Sequence, residues 1–110
     1  MKKMEASVKN QIRRMVDRIV RQFDPERIIL FGSHARGDAD ADSDVDLLVV
    51  MPVSGLKRDL ALEIRAALRD FHVPKDIIVT APEDFAWRKD VVGTIEYPAV
   101  QEGKVLYART

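Results

Sequence analysis

Residues 27–50 read Arg27-Ile28-Ile29-Leu30-Phe31-Gly32-Ser33-His34-Ala35-Arg36-Gly37-Asp38-Ala39-Asp40-Ala41-Asp42-Ser43-Asp44-Val45-Asp46-Leu47-Leu48-Val49-Val50, and this stretch decides the fold. One apolar run closes on a Gly-Ser turn, and after ten intervening residues an Asp-x-Asp pair opens the next run. On a strand, side chains i and i+2 leave the same face, with Cα atoms about 6.5–7 Å apart. At that spacing Asp44 and Asp46 can grip one cation from one side. A Gly-Ser turn leading into a helical turn offers backbone N–H groups and a hydroxyl to phosphate oxygens. Carboxylates for a divalent cation, beside donors for phosphates, are the parts that a nucleotidyl transfer requires.

Both apolar runs read as buried strands, Arg27–Phe31 and Asp44–Met51, the second stopped by Pro52. The loop between them is too short for a right-handed crossover carrying a full helix, so the two strands are expected to be antiparallel neighbours. Upstream, Val8, Ile12, Met15, Val16, Ile19, Val20 and Phe23 recur at helical spacing and predict an amphipathic helix over residues 4–23, ended by Asp24-Pro25. Downstream, Leu56, Leu60, Ile64, Ala67, Leu68 and Phe71 predict a helix over 56–71, before Val73-Pro74 breaks it. Asp76–Thr80 reads as a third strand, and Pro82-Glu83 as the entry to a helix carrying Phe85 and Trp87. Beyond Gly93 the signal weakens, because Pro98 falls where a helix would continue; Lys104–Tyr107 after Gly103 reads as a last short strand. The order predicts an α/β (α+β) fold, a small mixed β-sheet flanked by helices, in a single domain over residues 1–110.

Composition narrows the function. Lys and Arg total 18, as do Asp and Glu, and a net charge of zero argues against broad nucleic-acid binding. The chain has no cysteine, which removes disulfides and thiolate metal sites. Lys2 and Lys3 are followed by no apolar signal segment, and no run is long enough to span a bilayer, so a cytoplasmic location without membrane contact is expected.

The acidic run from Asp38 to Asp46 has three readings. It could be a solvated acidic loop. It could be an EF-hand Ca²⁺ loop, but counting from Asp38 puts Ser43 at the glycine position and Val49 at the bidentate glutamate position, and no helix pair flanks it. The third takes Asp44 and Asp46 as metal ligands at a strand start, with Asp38, Asp40 and Asp42 as loop charges. The apolar strand beyond Asp46 favours it. Two carboxylates facing one way repel each other and need a cation, or one must hold a proton. Oxygen ligands without His or Cys nearby favour Mg²⁺ or Mn²⁺ over Zn²⁺. Asp76 opens the third strand as Asp44 opens the second and is the candidate third carboxylate, against a plainer role as a cap or a partner of Lys75.

The spacing of Gly32, Ser33, Asp44 and Asp46 resembles the nucleotidyltransferase superfamily that includes DNA polymerase beta. The longer pattern Gly32–Gly37 and Ser43–Leu47, with the close Glu102-Gly103-Lys104-Val105-Leu106-Tyr107, resembles its minimal nucleotidyltransferase (MNT) subfamily. The resemblance covers residues 8–108.

It implies that Asp44, Asp46 and Asp76 hold two Mg²⁺ ions about 3.5–4 Å apart, with ATP as substrate. Asp76 would also be the nearest base for an acceptor hydroxyl. Gly32 and Ser33 would bind the triphosphate. Arg36 would neutralise it or pair with Asp38 or Asp44. Ser43 would orient Asp44 or Asp46, and Lys57 would be a further phosphate contact. Members of the MNT subfamily resemble antitoxins whose partners are HEPN-domain toxins. The implied activity is transfer of AMP from ATP to a hydroxyl of such a partner, tyrosine foremost. Two alternatives stand beside it: neutralisation of the partner by binding alone, and nucleotidyl transfer to a small molecule.

Overall fold

The computed structural model describes the backbone of residues 2–110 and the side chains of residues 8–110. Helix α1 (Lys2–Phe23) buries Ile12, Met15, Val16 and Ile19, the apolar stripe that its spacing predicts. It ends at Asp24, which adopts φ 50°, a left-handed conformation that a short polar side chain tolerates. Strand β1 (Arg27–Phe31) follows, then a single helical turn α2 (Ser33–Arg36), strand β2 (Val45–Val50) and helix α3 (Lys57–Ala67). Strand β3 (Lys75–Thr80), helices α4 (Pro82–Arg88) and α5 (Glu96–Glu102), and strand β4 (Lys104–Ala108) complete the order. The four strands form one mixed sheet, β3-β2-β1-β4. β1 pairs antiparallel with both β2 and β4, as expected for β2 from the short loop, and β2 pairs parallel with β3 across the α3 connection.

The two-residue period of β2 divides its side chains between two layers. Val45, Leu47 and Val49 join Ile28, Leu30, Ile77 and Val79 against α1 and α3. Leu48 and Val50 join Ile29, Phe31, Phe85 and Ala99 on the opposite face, where α4 and α5 lie. Asp46 shares the face of Leu48 and Val50, so the start of β2 aims its carboxylate into the α5 side of the sheet.

The end of α3 and the place of Pro98 depart from the sequence reading. Helix α3 stops at Ala67 rather than running to residue 71; Leu68 and Phe71 stay buried through tight turns in which the Leu68 N–H donates to Arg65 O at 3.0 Å and the Phe71 N–H to Leu68 O at 2.9 Å. Pro98 lies inside α5, where the sequence signal failed. It is the third residue of that helix, where a backbone N–H has no intrahelical acceptor to lose. Among the described residues no helix is long and apolar enough to cross a membrane.

Candidate active site

β1 ends beside β2 with Phe31 as the register partner of Asp46, so the Gly-Ser turn emerges next to that carboxylate. Gly32 has φ 75° and ψ −157°, a conformation essentially confined to glycine. It also lacks room for a side chain: a Cβ there would overlap Asp46 Oδ2 and lie 3.2 Å from Asp46 Cγ. Glycine is therefore required twice, for the turn and for the approach of backbone to carboxylate. Ser33 then opens α2, which is anchored by buried Ala35 and closed by Gly37 at φ 88°.

The loop after α2 is braced by its own polar groups. The Asp42 N–H donates to Asp40 Oδ1 at 2.9 Å, and the Asp40 N–H to Ser43 Oγ at 2.9 Å. The Ser43 hydroxyl donates back to Asp40 Oδ1 at 3.2 Å. His34 Nε2 lies 3.2 Å from Ser43 O, and a carbonyl acceptor requires that nitrogen to carry the proton. Ser43 thus holds the loop at Asp40, and its hydroxyl bonds there rather than to Asp44 or Asp46.

Asp44 stands one residue ahead of β2 and is exposed, rather than lying within the strand as expected, while Asp46 is half-buried inside it. Asp76, exposed on β3, is the direct register partner of Asp46. Register partners on parallel strands project to the same face, about 4.8 Å apart in backbone. Burial, and then the charges of Asp76 and Asp44, push the Asp46 carboxyl above the usual carboxylate range, with His34 and Arg36 acting in the opposite sense. The three aspartates therefore meet in one electrostatic neighbourhood. Lys75 does not neutralise Asp76, since its ammonium donates to the Phe71 and Val73 carbonyls at 2.7 and 3.1 Å.

A half-buried carboxylate with two carboxylates as neighbours suits a hard divalent cation in the chemistry of its donors. Among the described residues no three acidic or histidine side chains already surround one point as a finished metal cage. The acidic side chains would have to draw in around an arriving ion.

Arg36 Nε donates to Asp38 Oδ2 and its Nη1 to Glu102 Oε1, both at 3.3 Å; Asp38 is one of the two partners weighed from the sequence, and Glu102 was not foreseen. Lys57 is not at the site. It pairs with Asp84 at 2.6 Å and begins α3, beyond the far end of β2, about 20 Å of strand from Asp44. Sequence reasoning also missed Glu96, which is 3% exposed and accepts from Thr80 Oγ1 at 2.8 Å and Arg88 Nε at 3.0 Å. It lies in the segment where Pro98 hid the helix, so no periodic signal marked it as buried.

The sequence pattern of the nucleotidyltransferase domain family matches residues 11–100. Two proteins of Methanocaldococcus jannaschii, each named "putative protein adenylyltransferase", are similar to the chain. One is 38% identical over 55 residues, half of this chain and 54% of that protein, so the match spans about half of that relative's length. The other is 36% identical over 83 residues, 74% of this chain and 78% of that protein. Among solved structures, a "putative nucleotidyltransferase" from Sulfolobus solfataricus superposes with a TM-score of 0.65 at 22% identity, covering 96% of this chain and 86% of that one. A toxin–antitoxin structure with AMP-PNP superposes at 0.56 and 20% identity, covering 89% of this chain and 74% of that one. At these identities the solved structures establish the fold, and the family match rests on the sequence. The chain belongs to the nucleotidyltransferase domain family.

Proposed function

We propose that this protein, acting as one domain, transfers AMP from ATP with Mg²⁺ or Mn²⁺ to a hydroxyl, tyrosine foremost, of a HEPN-domain toxin, and so works as its antitoxin. One observation carries the reading: Asp46 has Asp76 as its register partner and feels the charge of Asp44, against a Gly32 that leaves no space for a side chain. The names of the two archaeal relatives support protein as the acceptor, and the toxin–antitoxin structure with AMP-PNP supports a toxin partner and an adenine nucleotide.

Asp44 and Asp46 would hold the metal ions, with Asp76 completing the ligand set. Bound divalent cations would offset triphosphate charge and sharpen the acceptor hydroxyl as a nucleophile. The chain's own groups do the rest. Gly32 lets backbone come close to the phosphates, Ser33 donates its N–H and hydroxyl to phosphate oxygens, and Arg36 balances their charge. Asp76 takes the proton from the acceptor hydroxyl. The acceptor oxygen bonds to the α-phosphorus, the bond from that phosphorus to the bridging oxygen breaks, and pyrophosphate leaves. A reaction fed by ATP accords with a cytoplasmic location.

The test is incubation with ATP labelled at the α-phosphate, Mg²⁺ and a HEPN-domain partner, followed by mapping of the label. Label on a tyrosine of the partner, lost in Asp44→Asn/Asp46→Asn, is the expected result. A partner that stays unlabelled overturns the acceptor assignment. If the double variant still neutralises the toxin, binding alone explains the antitoxin role.

A further inference from the structure

We propose that Glu102 is a positioning residue: with Gly103 it forms a clasp that holds α2 against the sheet and so presents Ser33 and Arg36 to the triphosphate. The clasp rests on the nucleotidyl-transfer reading above. It gives a physical task to the Glu102-Gly103 pair, whose place near the end of the chain is otherwise unexplained by the chemistry.

α2 needs an outside tether. It has four residues, no side-chain cap, and a glycine with positive φ at each end, Gly32 at 75° and Gly37 at 88°. A single helical turn has no stability of its own. Its polar tethers are His34, which reaches Ser43 O, and Arg36. Asp38, one of the two carboxylates on Arg36, belongs to the same loop and moves with it. Glu102 lies 66 residues away and does not.

Glu102 is itself fixed. It is the last residue of α5, and the following Gly103 is pressed onto β1 so closely that a Cβ would lie 2.7 Å from Ile29 Cγ2 and 2.9 Å from Leu30 O, and would overlap Ala99 O. The Gly103 N–H donates to Ala99 O at 3.0 Å, and Ala99 is fully buried. The backbone that carries Glu102 is therefore packed tightly against β1. A guanidinium is a rigid plane, so holding Nε at Asp38 and Nη1 at Glu102 sets where its remaining Nη2 edge lies. Both ion pairs are exposed and add little to stability. Their effect falls on preorganisation: an arginine and a serine already in place need not be ordered when nucleotide arrives.

Calorimetric titration of the full chain with ATP and Mg²⁺ tests the clasp. Glu102→Ala should weaken binding about two- to fivefold, the range that an exposed ion pair can supply. Glu102→Gln, which keeps an acceptor for Nη1, should recover most of that loss. Arg36→Ala should weaken binding further, and adding Glu102→Ala to it should change nothing more. Melting temperatures of both Glu102 variants should stay within about 2 °C of the parent. Equal or tighter binding by Glu102→Ala overturns the clasp, as do losses that multiply in the double variant. A parent chain that binds no ATP overturns the nucleotidyl-transfer reading and the clasp with it; a parent that binds while Glu102→Ala is unaffected overturns the clasp alone.

Discussion

Asp46 and Asp76 face each other as register partners on two parallel strands, with Asp44 two residues upstream of the first. Nothing in a sheet requires carboxylates side by side, and like charges there are destabilising. The arrangement raises the Asp46 pKa through burial first and through Asp76 and Asp44 next. An acid whose folded pKa is raised favours folding fully below its unfolded pKa and loses that contribution as pH rises through the folded value. Unliganded protein at pH 7 therefore carries a penalty here. Asp76→Asn should raise the melting temperature in chelator by about 1–4 °C while abolishing AMP transfer. Scanning calorimetry and the labelling assay read the two effects, and a lowered melting temperature would show that the carboxylates do not oppose each other.

Gly32→Ala should damage the site more than the fold. Alanine at φ 75° costs about 1–3 kcal/mol in backbone strain, and its Cβ would overlap Asp46 Oδ2. With the Asp46 carboxylate displaced, AMP transfer should fall at least about tenfold while circular dichroism still reports a folded chain. Activity near the parent level would mean that Asp46 has slack in its position.

Gly103→Ala separates the two reasons for a glycine. Here φ is −81° and ψ 170°, which any residue adopts, so the whole cost is steric. The added Cβ meets the carbonyls of Ala99 and Leu30, neither of which can rotate away. Urea unfolding should show a loss of about 1–3 kcal/mol. A variant as stable as the parent would mean that α5 can lift from β1 and that Glu102 is not a fixed post.

The buried Glu96 predicts acid sensitivity away from the active site. Burial pushes its carboxyl up, but hydrogen bonds from Thr80 and Arg88 outweigh that, and the net result lies below the usual glutamate range. A depressed pKa gives stability that is present above the unfolded value near about 4.3 and is lost as pH falls through the folded one. Glu96→Gln should cost about 1–2 kcal/mol at pH 7 and flatten the acid limb of the stability curve below about pH 5. An unchanged acid limb in urea titrations at several pH values would assign that sensitivity to other carboxylates.

The fold was legible where side-chain period and chain length decide it. The stripe from Ile12 to Ile19 and the alternation of Val45, Leu47 and Val49 with Leu48 and Val50 are local consequences of helix and strand geometry. The short link between β1 and β2 left antiparallel pairing as the expected solution. Pro98 misled because its meaning depends on where in a helix it falls, which the surrounding residues do not announce. Ser43, Lys57 and Glu102 depended on reach across the fold. The Ser43 hydroxyl is taken by Asp40, Lys57 by Asp84 at the other end of β2, and Glu102 finds Arg36 from far along the chain.

By itself the sequence determined which residues could share a face, because period and spacing are properties of adjacent peptide units: Asp44 near Asp46, and a glycine before a serine at the close of a strand. Only the tertiary structure decided that Asp76 stands beside Asp46 and that Glu102 reaches Arg36. Strand register and helix docking are settled by burying both faces of β2 at once, and no short stretch of chain contains that constraint.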